Sequence, residues 1–450
     1  MGSNLHAQSP FVSSPLASLA PRFRIVSGSN QPQIEMSGTT GAVYQVTASS
    51  NLVEWQTIGQ IDSSAAITLA FDPALTGSPA RFYRAQAVTY PFYALKPFTE
   101  VVLDDFENAD DWTVAGATKS ADTNLFVSGT QSLKLLPTGT GPMYLKKSIN
   151  LGFSEVKSVS LWVYLTGDSP RRLDVSFSST SKYSKNIYKT IWYPSTGAWL
   201  PIVLNPHSFT EYNGESRTNR MVLAVLSTQY ATNTSGAVNW DLFTYKTGGR
   251  ARPKAVLTFD DGDKSVITTA YPIMRARGFA ATAFIIGRAI GGVSWMSLAD
   301  LNLLYSNGWD ISNHTSNHAT LDGLTQSDAE QEIQGCIDFI EASGFTRNNM
   351  ARFLAYPQGS YNHSSVAIGA AHARGVLAAR TVDSFGVVNH DYQPLLELPA
   401  YPLYYGVSLA TAKSYVDEII QNQGVGCFYL HAIGDVSNSY HWPEQSFSAF

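Results

Sequence analysis

The stretch "AVLTFDDGDKS", residues 255–265, decides how the C-terminal part of this chain folds. The mainly apolar run Ala255 to Phe259 reads as a buried strand. It ends in two adjacent carboxylates, Asp260 and Asp261, followed by Gly262. Like charges side by side at the end of a buried strand are costly. Neighbours on a regular strand point to opposite faces, but a turn at Gly262 lets both carboxylates approach one place. A metal ion would relieve the repulsion by taking one carboxylate as a ligand. The other would then be free to act as a base.

Working outward from this strand, apolar strands alternate with helical patterns. A helix around 264–277 is closed by Gly278 and followed by "AATAFII". The next helix, 297–307, carries Leu298, Leu301 and Leu304 at helical spacing and ends at Gly308. Then come "WDISN" and a helix over 325–343. Thr325 and Asp328 form a capping-box-like start to that helix, and its apolar stripe is Ile333, Cys336, Ile337 and Ile340. "FLAYP", a helix over 363–374, "LAART", "LELPAY", a helix over 408–423 and "GCFYLH" complete the series. The count predicts a distorted seven-stranded parallel β/α barrel over 253–450. Its active site belongs where strands end and loops begin.

Two further polar clusters fall at such strand ends. In "NHTSNH", residues 313–318, His314 and His318 are four apart, which on one helical turn puts both imidazoles on one side. With a carboxylate they make a three-ligand site that leaves positions open for water and substrate. Zinc is the expected ion, and cobalt, nickel or iron accept the same donors. Taken alone, the pair carries little information. Asn313-His314-Thr315 also matches a glycosylation sequon, read here as accidental. His431, in "CFYLHAIGD", ends the last strand on the same face.

At 450 residues the chain exceeds one ordinary core. Residues 22–95 show short alternating runs. In "AVYQVTAS", Val43, Gln45 and Thr47 share one face and Tyr44, Val46 and Ala48 the other. This predicts a small antiparallel β-sandwich, and "SSNLVEWQTIG…FDPA…RFYRA" resembles immunoglobulin- or fibronectin-like modules of bacterial secreted proteins. Residues 98–248 repeat the β texture on a larger scale, with "SVSLWVYL", "RLDVSFSS", "RMVLAVLS" and "AVNWDLFTY" among the candidate strands. They predict a second all-β sandwich of jelly-roll type. Its frame "DDFENADDW…SGTQSLKL…VNWDLFTY" resembles carbohydrate-binding modules. Trp162, Trp192, Trp199 and Trp240 are each expected in the core. "KTGGRARPKA", 246–255, reads as a linker.

Charged residues make up 14% of the chain and the formal charge is −5, so there is no basic footprint for nucleic acid. No apolar stretch is long enough to span a bilayer. Residues 1–21 read as a tag or linker, so any export signal is expected to have been removed, and the chain is expected to continue beyond Phe450. The composition suits a secreted or cell-surface protein. The two cysteines, Cys336 and Cys427, are expected to be buried thiols, and spacing says nothing of a disulfide.

"TFDDG", "HTSNH", "AYPQGSY" and "YLH", in this order, resemble the polysaccharide deacetylases, carbohydrate esterase family four. The resemblance covers about 253–450. It implies Asp260 as general base, Asp261, His314 and His318 as metal ligands, and His431 as general acid. It places Gln358, whose backbone N–H would face the oxyanion, with Tyr361 and Leu430 on the substrate side. The family's arginine before the motif proline is Ala355 here. Arg352 points away by strand alternation, so Arg380, ending "LAART", is expected to orient Asp260. Asp383 stands nearest to the family's fourth motif and is expected to tune His431. The implied reaction is metal-dependent removal of N- or O-linked acetyl groups from an acetylated polysaccharide or oligosaccharide. A promiscuous small-ester esterase and a non-catalytic carbohydrate-binding or adhesion protein are the alternatives.

Overall fold

The computed structural model describes residues 22–26, 33–37, 43–53, 56–62, 68–71, 82–88 and 96–450, except 168–169, 231–235, 360–363, 384–386, 390–391, 393–394 and 435–439. The expected tag over 1–21 and Tyr361 lie outside the described residues. The chain divides into two compact units: Met1–Pro91 with Met274–Phe279, and Phe92–Ile273 with Ala280–Phe450.

In the first unit, six strands form two three-stranded antiparallel sheets. Val43–Ser49 is the central strand of one sheet and alternates as its sequence requires. Tyr44, Val46 and Ala48 are buried, while Gln45 and Thr47 are half-buried.

The second unit opens with two six-stranded antiparallel sheets stacked around one apolar core. Strand Val156–Leu165 shows the period of two. Leu161, Val163 and Leu165 fill the core, so Trp162 and Tyr164 must face outward. Only Trp240 of the four expected core tryptophans is fully buried. Trp162, Trp192 and Trp199 are half-buried because their strand neighbours hold the inward positions. Trp199 stands opposite Tyr164 on the outer face, ring centroids 5.7 Å apart. The core tryptophan that strand patterning overlooked is Trp112, stacked on Phe106.

The remainder of this unit is the barrel. Strands Ala378–Arg380, Phe353–Ala355, Asp310–Asn313, Thr282–Ile285, Lys254–Phe259, Val425–Leu430 and Tyr401–Pro402 pair in parallel in that order. A bridge between Arg380 and Leu398 brings the segment leading into Tyr401–Pro402 back beside the first strand. The expected seven strands thus make a distorted, nearly closed ring. Val387–Val388 adds a short antiparallel pairing at one side. Helices follow close to the expected bounds, among them Leu298–Ser306, Gln326–Ala342, Ser365–Ala373 and Leu409–Asn422. Ile333, Cys336, Ile337 and Ile340 are all fully buried. The expected helix at 264–277 begins as a π-helix, Val266–Ala270, and continues as the α-helix Tyr271–Ala276. Both cysteines are free thiols. Among the described residues no helix is long and apolar enough to cross a membrane.

Candidate metal centre and active site

All the polar clusters singled out along the barrel sequence reach the C-terminal ends of its strands. Lys254–Phe259 delivers Asp260 and Asp261, Asp310–Asn313 delivers the two histidines, and Val425–Leu430 delivers His431. They line one cleft of about 760 Å³ together with Tyr356, Gln358, Val382, Tyr404, Tyr429 and Tyr440. That volume suits a small ligand or part of a polymer.

Asp261 Oδ1 lies 3.4 Å from His314 Nε2 and 3.4 Å from His318 Nε2. The approach does not come from a helical turn, as the four-residue spacing suggests. His314 and His318 sit on a loop in which Thr315 has φ 66° and His318 φ 62°. A β-branched residue rarely adopts that conformation, and such strain gathers at functional sites. The loop is fixed from below. Asn313 accepts the Thr315 N–H at 2.8 Å and donates to the carbonyls of Ile333 and Ala351. Glu332 accepts the Asn317 N–H at 2.9 Å and its side-chain amide at 2.6 Å. Asn313 is fully buried, so the sequon has no free acceptor side chain.

Chemistry of the donor set tests whether a cation fits. The Nδ1 of His314 has a carbonyl partner, Ala355 O at 2.7 Å, so Nδ1 carries the proton and Nε2 presents a lone pair. That lone pair faces Asp261 Oδ1, which is buried and has no hydrogen-bond partner. Lone pairs facing lone pairs are an arrangement into which a cation fits. The three donor atoms lie within 4.8 Å of one another, as one ion requires. The titration directions agree. Burial opposes the charge on Asp261, but the neighbouring imidazoles, His314 foremost, outweigh it and hold the carboxyl down to about 2. Burial, with His314 beside it, pushes His318 below the usual histidine value, which keeps it neutral and able to ligate.

Asp260 flanks this centre. Its N–H donates to Leu430 O at 2.7 Å, and its Oδ2 accepts from Arg380 Nη2. Both side chains are under 5% exposed, so this is a buried pair and not a surface contact. The arginine is confined between rings, 5.0 Å from Tyr429 and 5.6 Å from Phe284. Strand register pairs Ala355 with Arg380 directly. Arg380 thus stands beside position 355 on the adjoining strand. Arg352 turns away, donating to Arg374 O at 2.7 Å.

His431 closes the opposite side. Burial pushes it below the usual histidine value against the pull of Asp260 and Asp261, and Tyr440 lies 5.3 Å from its ring. One expectation does not hold in space. Leu430 is fully buried and absent from the cleft lining, because alternation along its strand gives the cleft Tyr429 and His431. Asp383 bears electrostatically on Lys189 and Glu397. Gln358 does line the cleft, with φ 57°. Phe284, Glu332, Tyr404 and Tyr440 escaped the sequence reading. They belong to no motif, and only the fold brings them to the site.

Residues 247–375 match the family model for polysaccharide deacetylase, so the chain carries a polysaccharide deacetylase domain. Among curated relatives, YxkH of Bacillus subtilis, a polysaccharide deacetylase by name, is 29% identical over 111 residues, covering 25% of this chain and 39% of that protein. The poly-beta-1,6-N-acetyl-D-glucosamine N-deacetylase of Staphylococcus epidermidis is 28% identical over 141 residues, covering 28% of this chain and 48% of that protein. The chain thus spans less than half the length of these relatives. Among solved structures, the family 11 carbohydrate-binding module of Clostridium thermocellum cellulase Lic26A-Cel5E matches at 20% identity and TM-score 0.27, over 34% of this chain and 96% of that one.

Proposed function

We propose that the barrel is a metal-dependent hydrolase that removes acetyl groups from a carbohydrate. The observation that supports this most is the meeting of Asp261, His314 and His318 at one point, flanked by the Asp260–Arg380 pair and by His431. A divalent ion, zinc by the donor set, would be held by Asp261, His314 and His318 and would supply Lewis acidity toward the acetyl carbonyl and toward water. Asp260 takes the proton of the attacking water. Its Oδ2 is occupied by Arg380, which leaves Oδ1, without a partner in the structure, for that proton. The new C–O bond puts negative charge on the former carbonyl oxygen, and the Gln358 backbone N–H is assigned to meet it. That charge favours the cationic form of His431, which takes a proton from solvent and gives it to the departing amine or alcohol as the acetyl bond breaks, while Asp260 returns the water's proton to solvent. The products are acetate and the free sugar group.

Tyr404 and Tyr440, 37% and 60% exposed on the cleft wall, offer ring faces to a sugar. The outer-face aromatics Trp162, Tyr164 and Trp199 would offer a second contact with a polymer, in keeping with the carbohydrate-binding likeness of the sandwich. Such substrates place the protein outside the cell or at its surface. The Staphylococcus relative makes a β-1,6-linked N-acetylglucosamine polymer the first substrate to test, with acetylxylan as the O-acetyl comparison. The test is acetate release by the metal-loaded chain. Release from one of the two, lost in Asp260→Asn, is expected. Binding of both without release would return the protein to the adhesion class.

A further inference from the structure

We infer that Glu397 is a positioning residue for this reaction, through which the sandwich holds the strand that carries Arg380; the inference rests on the deacetylase reading above. Ala378–Arg380 is three residues long and pairs on one side only with Phe353–Ala355. Among the described residues, its other side is held by Leu398 alone. The Leu398 N–H donates to Ala379 O at 2.9 Å, and the Thr381 N–H donates to Leu398 O at 2.8 Å, so these bonds bracket Arg380. One step back along the chain, Glu397 Oε1 accepts the backbone N–H of Trp192 at 3.0 Å. Trp192 ends the sandwich strand Asn186–Trp192. A single peptide link therefore separates a sandwich anchor from the ladder that places the arginine on Asp260.

The surroundings make this bond hard to replace. Glu397 is 3% exposed. The adjoining cavity, about 220 Å³, is lined mostly by apolar groups, including Ile191, Leu200, Ile202 and Leu396. Water compensates a lost hydrogen bond poorly in such a place. The same excursion of the barrel is tied down twice more. Tyr392 is buried within the sandwich core, with Val388 and Leu398 packed against that core. Asn205 Nδ2 donates to Asn389 Oδ1 at 2.9 Å. Both ends of the excursion return to the cleft, as Val382 and Tyr404. A module that only tethered the barrel to a polymer would not need a buried carboxylate one residue from the base-orienting strand.

The experiment uses the full-length, metal-loaded protein and three variants: Glu397→Ala, Glu397→Gln and Arg380→Ala. It also includes the Glu397→Ala/Arg380→Ala double variant. Hydrogen exchange followed by mass spectrometry reads the Thr381 and Leu398 amides, and steady-state acetate release reads kcat and KM. Glu397→Ala is expected to speed exchange at both amides at least roughly tenfold, since the bonds that protect them are loosened. It should lower kcat by about tenfold to a hundredfold, the cost of a small misplacement, with KM within about twofold. Glu397→Gln keeps an acceptor for Trp192 and should restore both. The double variant should be no slower than Arg380→Ala alone. Unchanged exchange in Glu397→Ala, or losses that multiply in the double variant, would overturn the inference. Should Glu397→Ala not fold, Glu397→Asp, which withdraws the carboxylate by one methylene, goes through the same measurements with the same expectations. If the wild type releases no acetate, the deacetylase reading fails, while the exchange comparison still decides whether Glu397 holds the strand.

Discussion

Replacing Arg380 by alanine removes the only ion-pair partner of Asp260 among the described residues. At hydrogen-bonding separation, roughly 3 Å, and an effective dielectric of about 20, the Coulomb attraction is about 5–6 kcal/mol. Removing one partner of a buried pair costs about 3–5 kcal/mol by experience with other proteins, because the remaining charge is left uncompensated. The guanidinium also gives up its contacts with Tyr429 and Phe284, worth about 1 kcal/mol in total. A loss of about 4–6 kcal/mol in unfolding free energy is therefore expected, read by urea denaturation of the metal-loaded protein. Activity should fall further than stability explains. A positioned general base contributes about 10²–10⁴, and an unheld Asp260 forfeits much of that in kcat, measured where the variant is still folded. Arg380→Lys keeps the charge but loses the planar fork and the stacking, so it should fall between the two. A turnover within about twofold of wild type in Arg380→Ala would refute the reasoning, whatever happened to stability.

Three other outcomes follow from the same coordinates. Asp261→Asn and His318→Ala should each weaken zinc binding by at least about a hundredfold, since one of three ligands is lost; equal affinity in calorimetry would remove them from the ligand set. Burial raises the Glu397 carboxyl from 4.5 to about 7 against the pull of Lys189. Its folded form therefore favours the proton, and the stability it lends is full below about pH 4.5 and lost as pH rises to about 7, by up to about 3 kcal/mol. Glu397→Gln should flatten that part of the stability curve, and parallel curves would contradict the account. Tyr440→Ala, which strips an exposed ring from the wall beside His431, should raise KM for a polymer several-fold and leave hydrolysis of a small acetyl ester nearly unchanged.

The barrel was legible in the sequence because buried parallel strands and amphipathic helices carry strong periodic signals. Leu298, Leu301 and Leu304, and the stripe from Ile333 to Ile340, set the helices within a residue or two. The convergence of the candidate site was legible because its polar residues sit at strand ends, where the chain order of motifs survives. What the spacing could not convey was backbone conformation. The His314–His318 approach depends on left-handed residues at 315 and 318, and neither threonine nor histidine advertises that state. Alternation judged Arg352 correctly, and the same rule, applied to Leu430, would have turned it from the cleft. Trp162 shows the opposite lesson, since size suggested the core while its neighbours Leu161 and Val163 had already claimed it. The docking of Tyr392 and Glu397 on the sandwich was invisible. It joins residues about two hundred positions apart and leaves no local pattern.

The most direct test of the central claim is to strip the protein of metal, verify the removal, and follow acetate release as zinc is added back. Activity should vanish on stripping and return in proportion to added zinc until one ion per chain is bound, with no return in Asp261→Asn. Full acetate release by verified metal-free protein would contradict the assignment of Asp261, His314 and His318 as the catalytic metal centre.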